Sequence, residues 1–259
     1  MNRFLSFLLL ASLSLSIYAR QPRKKNPEPC GIEVHTIRNV TVDNIRLNYS
    51  QTPGIEIDGR KITGSEEGIR IDGGSLIITQ PTDSWGHLFT RSGDIIINTP
   101  CVRDIYMHST GDLTSEKIVS DKLNISIFGA GDVKVVSIQA DYAELSVYGA
   151  GSIKVSGIES DNVKVRVLGA GDVTLGNIKA NRIDCVMSGA GDAVLYGIDC
   201  TYLKVVSLGA GDISLNGYAE NTSVQLRGSG DVTSRDMTSR HTEISTTGSG
   251  SIKGIFNSK

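Results

Sequence analysis

Residues 129–152 read GAGDVKVVSIQADYAELSVYGAGS, and this stretch decides the fold because its opening motif returns at its end. A motif of glycine, a small residue, glycine, and aspartate or serine recurs across residues 129–251 in steps of 20 residues, with one step of 19. Degenerate copies at Gly93-Asp94 and Gly111-Asp112 extend the series towards the N-terminus. A fixed period of this length is typical of a solenoid in which each repeat forms one coil.

The residues between the motifs alternate between apolar and polar, which is the period of a β-strand. The column one position after the aspartate contains Leu113, Val133, Ile153, Val173, Ala193, Ile213, Val232 and Ile252. The column six positions after it contains Ile138, Ile158, Ile178, Ile198 and, on this alignment, Tyr218. Turn-prone residues such as Gly157 and Asp161 add two corners to the one at the motif. We therefore predict an all-β fold, a right-handed parallel β-helix (β-solenoid) with coils of 20 residues, whose handedness follows the rule for parallel crossovers.

The solenoid is predicted to be a single domain over residues 32–259. Residues 32–90 contain strand-like runs without the motif, and we expect them to begin the stack as irregular N-terminal strands. Residues 91–259 carry the regular coils. The chain becomes more polar after Val232, which is typical of a terminal capping coil.

The N-terminus predicts export. Residues 1–19 combine Arg3, a run of apolar residues and the small residue Ala19, the layout of a cleavable secretory signal. Residues 20–31, with three prolines and a basic cluster, are interpreted as an exposed leader. We expect a periplasmic, cell-surface or secreted protein with no transmembrane segment in the mature chain. The formal net charge of −2 gives no indication of binding to nucleic acid.

The four cysteines predict neither a metal nor a cofactor site. Cys30, Cys101, Cys185 and Cys200 do not form the paired Cys-x-x-Cys spacing of zinc sites. An oxidising compartment permits disulfides, and three connectivities stay open, among them one that contains a Cys30–Cys101 link.

The tandem Gly-Ala-Gly-Asp coils, the N-terminal signal and the stretch Gly68–Thr79 together resemble the GIN domain family, described as the head of autotransporter adhesins and common in Bacteroidetes. The resemblance covers residues 35–255. It implies a β-helix with an adhesin-like role and supplies no catalytic residues to carry over. A glycan or a cell-surface protein is the expected partner.

A column of carboxylates follows the glycines and has two interpretations. Its members are Asp112, Asp132, Asp172, Asp192, Asp212 and Asp231. Stacked in register, they would lie about 4.8 Å apart and repel one another. Each could cap its own turn by accepting backbone N–H bonds, or the column could bind cations. Capping is favoured because Ser152 and Ser251 occupy the same column and serine is a poor calcium ligand.

A row of outward side chains just before each Gly-Ala-Gly is the candidate binding surface. It contains Phe128, Tyr148, Leu168 and Leu208 and is broken only by Ser188, with Tyr142 and Tyr202 at another outward position. Apolar and aromatic surface rows suit contacts with carbohydrate or protein. Alternatively, an N-terminal strand or a sister subunit covers the row, so a homo-oligomer stays open.

The sequence predicts no catalytic residues and therefore no enzyme. The four histidines lie outside the regular repeat core, and neither a Ser-centred elbow nor a metal-binding His pair is present. The alternative is a β-helix polysaccharide lyase or glycosidase, which needs acidic and basic residues concentrated at one cleft. The sequence itself shows no such concentration.

Overall fold

The computed structural model describes residues 36–39, 44–65, 68–72, 74–79 and 94–254. The predicted signal (1–19) and leader (20–31) lie outside these residues. The described elements are all β-strands, and the described residues contain no helix of the length and apolarity that a membrane crossing requires. The strands are β1 (Thr36–Asn39), β2 (Ile45–Tyr49), β3 (Gly54–Ile57), β4 (Arg60–Ile62), β5 (Ile69–Asp72), β6 (Ser75–Ile78), β7 (Ile95–Thr99), β8 (Asp104–Met107), β9 (Leu113–Ile127), β10 (Val133–Val147), β11 (Ile153–Val167), β12 (Val173–Gly176), β13 (Ile178–Met187), β14 (Ala193–Ser207), β15 (Ile213–Leu226), β16 (Val232–Thr246) and β17 (Ile252–Gly254).

Strands β9 to β16 stack as parallel coils in the register that the repeat predicts. Val133 pairs with Leu113 on one side and with Ile153 on the other, so equivalent residues of successive coils lie beside each other. The stack is a β-solenoid of about 8 turns. The prediction of a parallel β-solenoid with 20-residue coils is confirmed.

Each coil has three legs. Along β10, burial alternates from Val133, changes phase at Ser137 and changes phase again at Asp141. The chain turns at these two positions and, for the third time, at the glycine motif. In this coil the first leg is 133–136, the second leg is 137–140 and the third leg is 141–148; the same names apply to the equivalent residues of the other coils.

The core is a set of apolar columns in which like residues stack on like. On the third leg, Val165 lies in register between Leu145 and Cys185, and all three side chains are fully buried. Burial of such a side chain stabilises the fold by about 1.5–3 kcal/mol. Because the backbone groups of each coil bond to the coils on both sides, the stack also satisfies its main-chain donors and acceptors.

The glycines of the motif are required by the close approach of successive corners. A Cβ on Gly151 would collide with the backbone oxygen of Gly131, and a Cβ on Gly171 would collide with that of Gly151. Within the described range 94–254, no motif glycine has a positive φ. Close packing between coils, rather than left-handed backbone, therefore explains the glycines.

The N-terminal strands extend the stack on two of its legs. β2 lies between β7 and β9 in parallel register, and β1 lies between β6 and β8. The hairpins β3–β4 and β5–β6 are antiparallel. The chain therefore enters the solenoid through irregular strands before the 20-residue coils begin, as the sequence predicts.

The coil of β15 corrects one predicted core position. Ile198 pairs with Gly217 across a bulge, whereas Tyr218 pairs with Asp199 and is partly exposed. The placement of Tyr218 in the apolar column of Ile198 is therefore wrong. The missing residue of this 19-residue coil precedes Gly217, so that Tyr218 moves to an outward position.

The last coil is polar and open. Residues 240–246 of β16 are all exposed, including Ile244, which is 48% exposed although its register partner Val224 is fully buried. Within the described chain, β17 pairs with β16 only over Ile252–Gly254. The polar terminal coil that the sequence predicts is therefore present.

Candidate functional site

The aspartate column joins successive coils. The N–H of Asp132 donates to Oδ1 of Asp112 at 2.8 Å, and the same bond recurs from Asp212 to Asp192 and from Asp231 to Asp212 at 2.8 and 2.7 Å. The interpretation that each carboxylate accepts backbone N–H bonds is right, but the donor belongs to the next coil and not to its own turn. The next coil lies only about 4.8 Å away, so its N–H is within hydrogen-bonding reach of the carboxylate.

Cations and hydroxyls offset the repulsion at both ends of this column. Lys134 Nζ lies 3.5 Å from Asp112 Oδ2 and 3.3 Å from Asp132 Oδ2. Burial raises the pKa of Asp132, but hydrogen bonds from Ser152 and Lys134 outweigh it and hold that pKa below its ordinary value. At the other end, Lys253 at 2.7 Å lowers the pKa of Asp231 to about 2 with help from bonds donated by the next coil.

The column links successive coils. Each of its carboxylates accepts hydrogen bonds on Oδ1 from the next coil. In the part of the chain that the structure describes, no group of three or more His, Cys, Asp or Glu side chains is arranged to hold a metal ion.

The outward row before the glycines is an exposed ladder, as the sequence predicts. The exposed fractions are 43% for Phe128, 40% for Tyr148, 46% for Leu168 and 47% for Leu208. The rings of Phe128 and Tyr148 stack with centroids 4.8 Å apart and an interplanar angle of 4°. The coil spacing itself imposes this distance, since equivalent residues lie one strand apart.

Sequence reasoning missed one member of this row. The imidazole of His108 stacks on Phe128 with centroids 4.7 Å apart and an angle of 5°. The signal is its position 20 residues before Phe128, in a coil that lacks the full motif. The apolar row is defined below as His108, Phe128, Tyr148, Leu168 and Leu208.

The two remaining candidate residues lie on the same leg as the apolar row, at its opposite edge. Tyr202 is 51% exposed. Tyr142 is half-buried and donates from its hydroxyl to Glu144 Oε2 at 2.8 Å. Burial, followed by the hydrogen bond to Glu144, raises the pKa of Tyr142 to about 12. Tyr142 is therefore a neutral donor within a polar network, and Tyr202 presents its side chain to solvent.

All the predicted site residues thus belong to one surface, the third-leg face. It consists of four rows, the residues equivalent to Tyr142, Glu144, Ser146 and Tyr148 in each coil; within the third row, Ser146 itself is fully buried. Ion pairs join neighbouring rows: Arg166, in the row of Ser146, lies 2.8 Å from Glu144, and the guanidinium of Arg182, in the row of Tyr142, donates two bonds of 2.8 Å to Asp184. The face therefore has one apolar edge, the apolar row, with charged and hydrogen-bonding residues beside it.

Two open grooves lie on the other legs. The groove on the first leg has a volume of about 390 Å³ and is lined by Arg46, Glu116, Lys134, Val136 and Lys154, among others. Two of its cations already face carboxylates, since Arg46 lies 3.6 Å from Asp94 and Lys134 bridges two aspartates. This groove is therefore largely neutralised from within the chain.

The groove on the second leg is lined by both acidic and basic residues, which the sequence does not predict. It measures about 490 Å³ and is lined by Glu159, Lys179, Asp199, Tyr218 and Glu220, among others. The expectation that no cleft concentrates acidic and basic residues is therefore wrong. Glu159, Lys179 and Asp199 are 20 positions apart along the chain, and only the stacking in register brings them to one place.

Comparison with known proteins gives a consistent result for the fold. The family described as "Putative auto-transporter adhesin, head GIN domain" matches residues 34–197 and, in a second overlapping match, residues 163–255. No curated protein matches the chain.

Two crystal structures share the architecture. A "Putative lipid binding protein" from Parabacteroides distasonis ATCC 8503 superposes with a TM-score of 0.69 at 17% identity, covering 86% of this chain and 93% of that one. A "putative adhesin" from Bacteroides fragilis NCTC 9343 superposes with a TM-score of 0.57 at 19% identity, with the same coverage of 86% and 93%. At these identities the likeness is one of fold alone.

Proposed function

The chain belongs to the family of auto-transporter adhesin head GIN domains, and from this premise we propose that it is an exported, non-catalytic binding module that adheres to a cell-surface glycan or protein through its third-leg face. The adhesin-like role follows from the family. The assignment to this face rests on one observation, the solvent exposure of Phe128, Tyr148 and Leu168 on three successive coils, with Leu208 two coils further along the stack.

The apolar row is unusual for a surface that faces only water. Four of its members expose between 40% and 47% of their area, and they line up along the stack. Covering each Å² of apolar surface contributes about 25 cal/mol. A contiguous exposed apolar feature on a folded domain is typical of a contact site.

The ring geometry decides what each part of the face can contact. The faces of Phe128 cover those of His108 and Tyr148, so this ladder presents ring edges and forms a ridge. A ridge with leucines beyond it suits a groove in a protein partner. Tyr202, flanked in register by Arg182 and Asn221, offers an exposed aromatic ring beside polar groups, which is the arrangement that suits a sugar.

Binding to cells and glycans tests this proposal. Purified protein is incubated with a panel of bacterial and host polysaccharides and with labelled cells, and retention is compared with that of the double variant F128S/Y148S. We expect the double variant to lose binding at least about tenfold, because two adjacent apolar contacts are removed. The control is Val136→Ser, which removes an exposed apolar side chain on the first leg (49% exposed).

If the wild type is retained, F128S/Y148S is retained equally well and V136S is not retained, the contact lies on the first leg instead. Absence of retention on every cell and glycan would contradict the adhesive function itself.

Export through the predicted signal has a separate test. We propose that cleavage follows Ala19 and that the mature protein is periplasmic, on the cell surface or secreted. Mass spectrometry of the protein from fractionated cells should give an N-terminus at Arg20. A full-length chain in the cytoplasmic fraction would contradict this.

The second-leg groove supports a second candidate function, a glycan-degrading enzyme. Glu159, Lys179 and Asp199 occupy one outward row in register and line the same groove. Paired carboxylates or a lysine base are what glycosidases and lyases require. The polysaccharide panel therefore also includes a measurement of new reducing or unsaturated ends. Cleavage that is abolished by E159Q or D199N would establish the enzyme and displace the binding module.

A further inference from the structure

We propose that the partner of the third-leg face is a second copy of this chain, packed face to face and antiparallel. This inference rests on the proposed function, since it names the occupant of the same surface. The observation that carries it is the order of charges in one row. In successive coils this row reads Glu144, Lys164, Asp184 and Lys204, in register. A row of four alternating charges is complementary to its own reverse.

The symmetry of a dimer uses this property. A two-fold axis in the plane of the face and parallel to the strands reverses the order of the coils and sets each row opposite itself. With the axis between the coils of Lys164 and Asp184, Lys164 faces Asp184 of the second copy, and Glu144 faces Lys204. Moving the axis onto the coil of Asp184 would instead bring Lys164 opposite Lys204. Only the axis between the coils of Lys164 and Asp184 sets all four charges of the row opposite charges of the other sign.

The rows of Tyr142 and Tyr148 are compatible with this register. The facing pairs are Tyr142 with Tyr202, Asn162 with Arg182, Tyr148 with Leu208, Leu168 with Ser188, and Phe128 with Arg227. Tyr142 then meets Tyr202 and Tyr148 meets Leu208, whereas Leu168 meets the small side chain of Ser188. Arg227 meets the ring of Phe128, which is a favourable contact. The outermost coils contribute one like-charged pair, Asp104 with Glu243, so the complementary region covers six coils.

A parallel arrangement lacks this complementarity. A two-fold axis along the solenoid sets the row of Glu144 opposite the row of Ser146 in the same coil. Lys164 would then face Arg166 of the second copy, and the pair would occur twice. Like charges at such a distance cost free energy and count against that orientation.

The cations of the row are available to a partner. Glu144 and Asp184 each pair with an arginine of their own chain at 2.8 Å. Among the described residues, neither Lys164 nor Lys204 takes part in an ion pair within 4.0 Å. Carboxylates retain acceptor capacity after one pairing, so a lysine of a second copy adds to these networks without breaking them.

The area is sufficient for a weak dimer. The face is about 20 Å wide from the row of Tyr142 to the row of Tyr148, and six coils span about 24 Å between the first and the last. The two copies together would therefore bury on the order of 1,000 Å², which lies at the lower limit of specific interfaces. We expect a dissociation constant of about 10 µM and a clear weakening at high salt.

Charge exchange tests the pairing by sedimentation equilibrium of the mature protein. In the Lys164→Glu dimer, the introduced carboxylate of each copy faces Asp184 of the other copy. In the Asp184→Lys dimer, the introduced lysine of each copy faces Lys164 of the other copy. Each variant alone should dimerise at least about tenfold more weakly than the wild type. Their equimolar mixture should dimerise within about threefold of the wild type, because the carboxylate introduced in one chain then faces the ammonium group introduced in the other. Lys154→Glu, the same charge change on the first leg of the same coil, should leave dimerisation unchanged.

The mixture is decisive because dimerisation restored only between the two variants requires a contact between residues 164 and 184 of different chains. A contact within one chain could not restore it. A wild type that stays monomeric at about 200 µM, variants that dimerise as the wild type does, or a mixture that is no better than its components would each overturn the proposal. Thermal melts of each variant exclude unfolding as the cause.

The failure of this proposal is distinguishable from the failure of the adhesive function. If monomeric K164E still binds cells as the wild type does, the partner is not a second copy, although the function stands. If the dimer forms as described and no cell or glycan is retained, the second copy is the partner and the adhesive function fails.

Discussion

The aspartate column and the apolar row lie four residues apart, on the two sides of the same glycine corner, and they serve different purposes. Both recur every 20 residues and both reach the surface. Asp192 accepts the N–H of Asp212 from the next coil, whereas Leu168 makes no comparable bond and leaves 46% of its area exposed. Stacking itself demands repetition in a solenoid. A repeated residue therefore indicates a contact surface only where its side chain does not already bond to a neighbouring coil.

The largest expected effect on stability comes from the glycine corner between the aspartate column and the apolar row. Gly151→Ala should reduce the free energy of unfolding by about 3 kcal/mol or more, because the added methyl group meets the backbone of Gly131, which cannot move aside. Gly157→Ala is the matched control in the same coil: its Cβ would have only an ordinary contact, 3.7 Å from Val136 O. That variant should be neutral or slightly stabilised. Urea unfolding measures both, and equal losses would show that coil spacing does not explain the motif.

A smaller effect separates the column from the row. Asp192→Ala removes the acceptor of one bond between coils and should cost about 1 kcal/mol. Asp192→Asn retains an oxygen for the same donor and should cost less. Leu168→Ser, on the other side of the corner, should stay within about 0.5 kcal/mol. If L168S were the more destabilising change in urea unfolding, the row would belong to the fold and not to a contact surface.

The smallest effect concerns acid. Lys253 and Ser251 lower the pKa of Asp231 to about 2, below the ordinary value of 3.8. A carboxylate whose pKa is lower in the folded state stabilises the fold above its unfolded pKa, and this stabilisation is lost as the pH falls through the folded pKa. The difference in melting temperature between the wild type and Asp231→Asn should therefore be constant above about pH 5 and shrink between about pH 4 and 2. A difference as large at pH 2 as at pH 6 would contradict the assigned ion pair.

Most of the fold could be predicted because its information is local and repeated. The period, the apolar columns and the polar last coil are all visible in the sequence. Each column is repeated so often that a single deviating residue does not obscure it. The error at Tyr218 arose where the period itself fails. A coil of 19 residues does not say where its missing residue lies, and the packing of Gly217 against the backbone of Ile198 settles it.

The candidate site was predicted in part. The outward position of Phe128 and its equivalents follows from strand parity. The extension of that row to His108 required the coil register of a region where the motif is degenerate. The groove lined by Glu159, Lys179 and Asp199 was missed because a single repeat contains only one of these residues.

The sequence by itself determined the coil, since a strand pattern broken by glycine corners at a constant period can bury its apolar residues only by stacking. The sequence could not determine which neighbouring residue each polar group bonds or pairs with. Asp132 looks the same whether it bonds its own turn or the next coil, and Glu144 and Lys164 look like unrelated surface charges. Only the tertiary structure decides these relations, because they run along the stack, at right angles to the chain, and the distance between coils sets them.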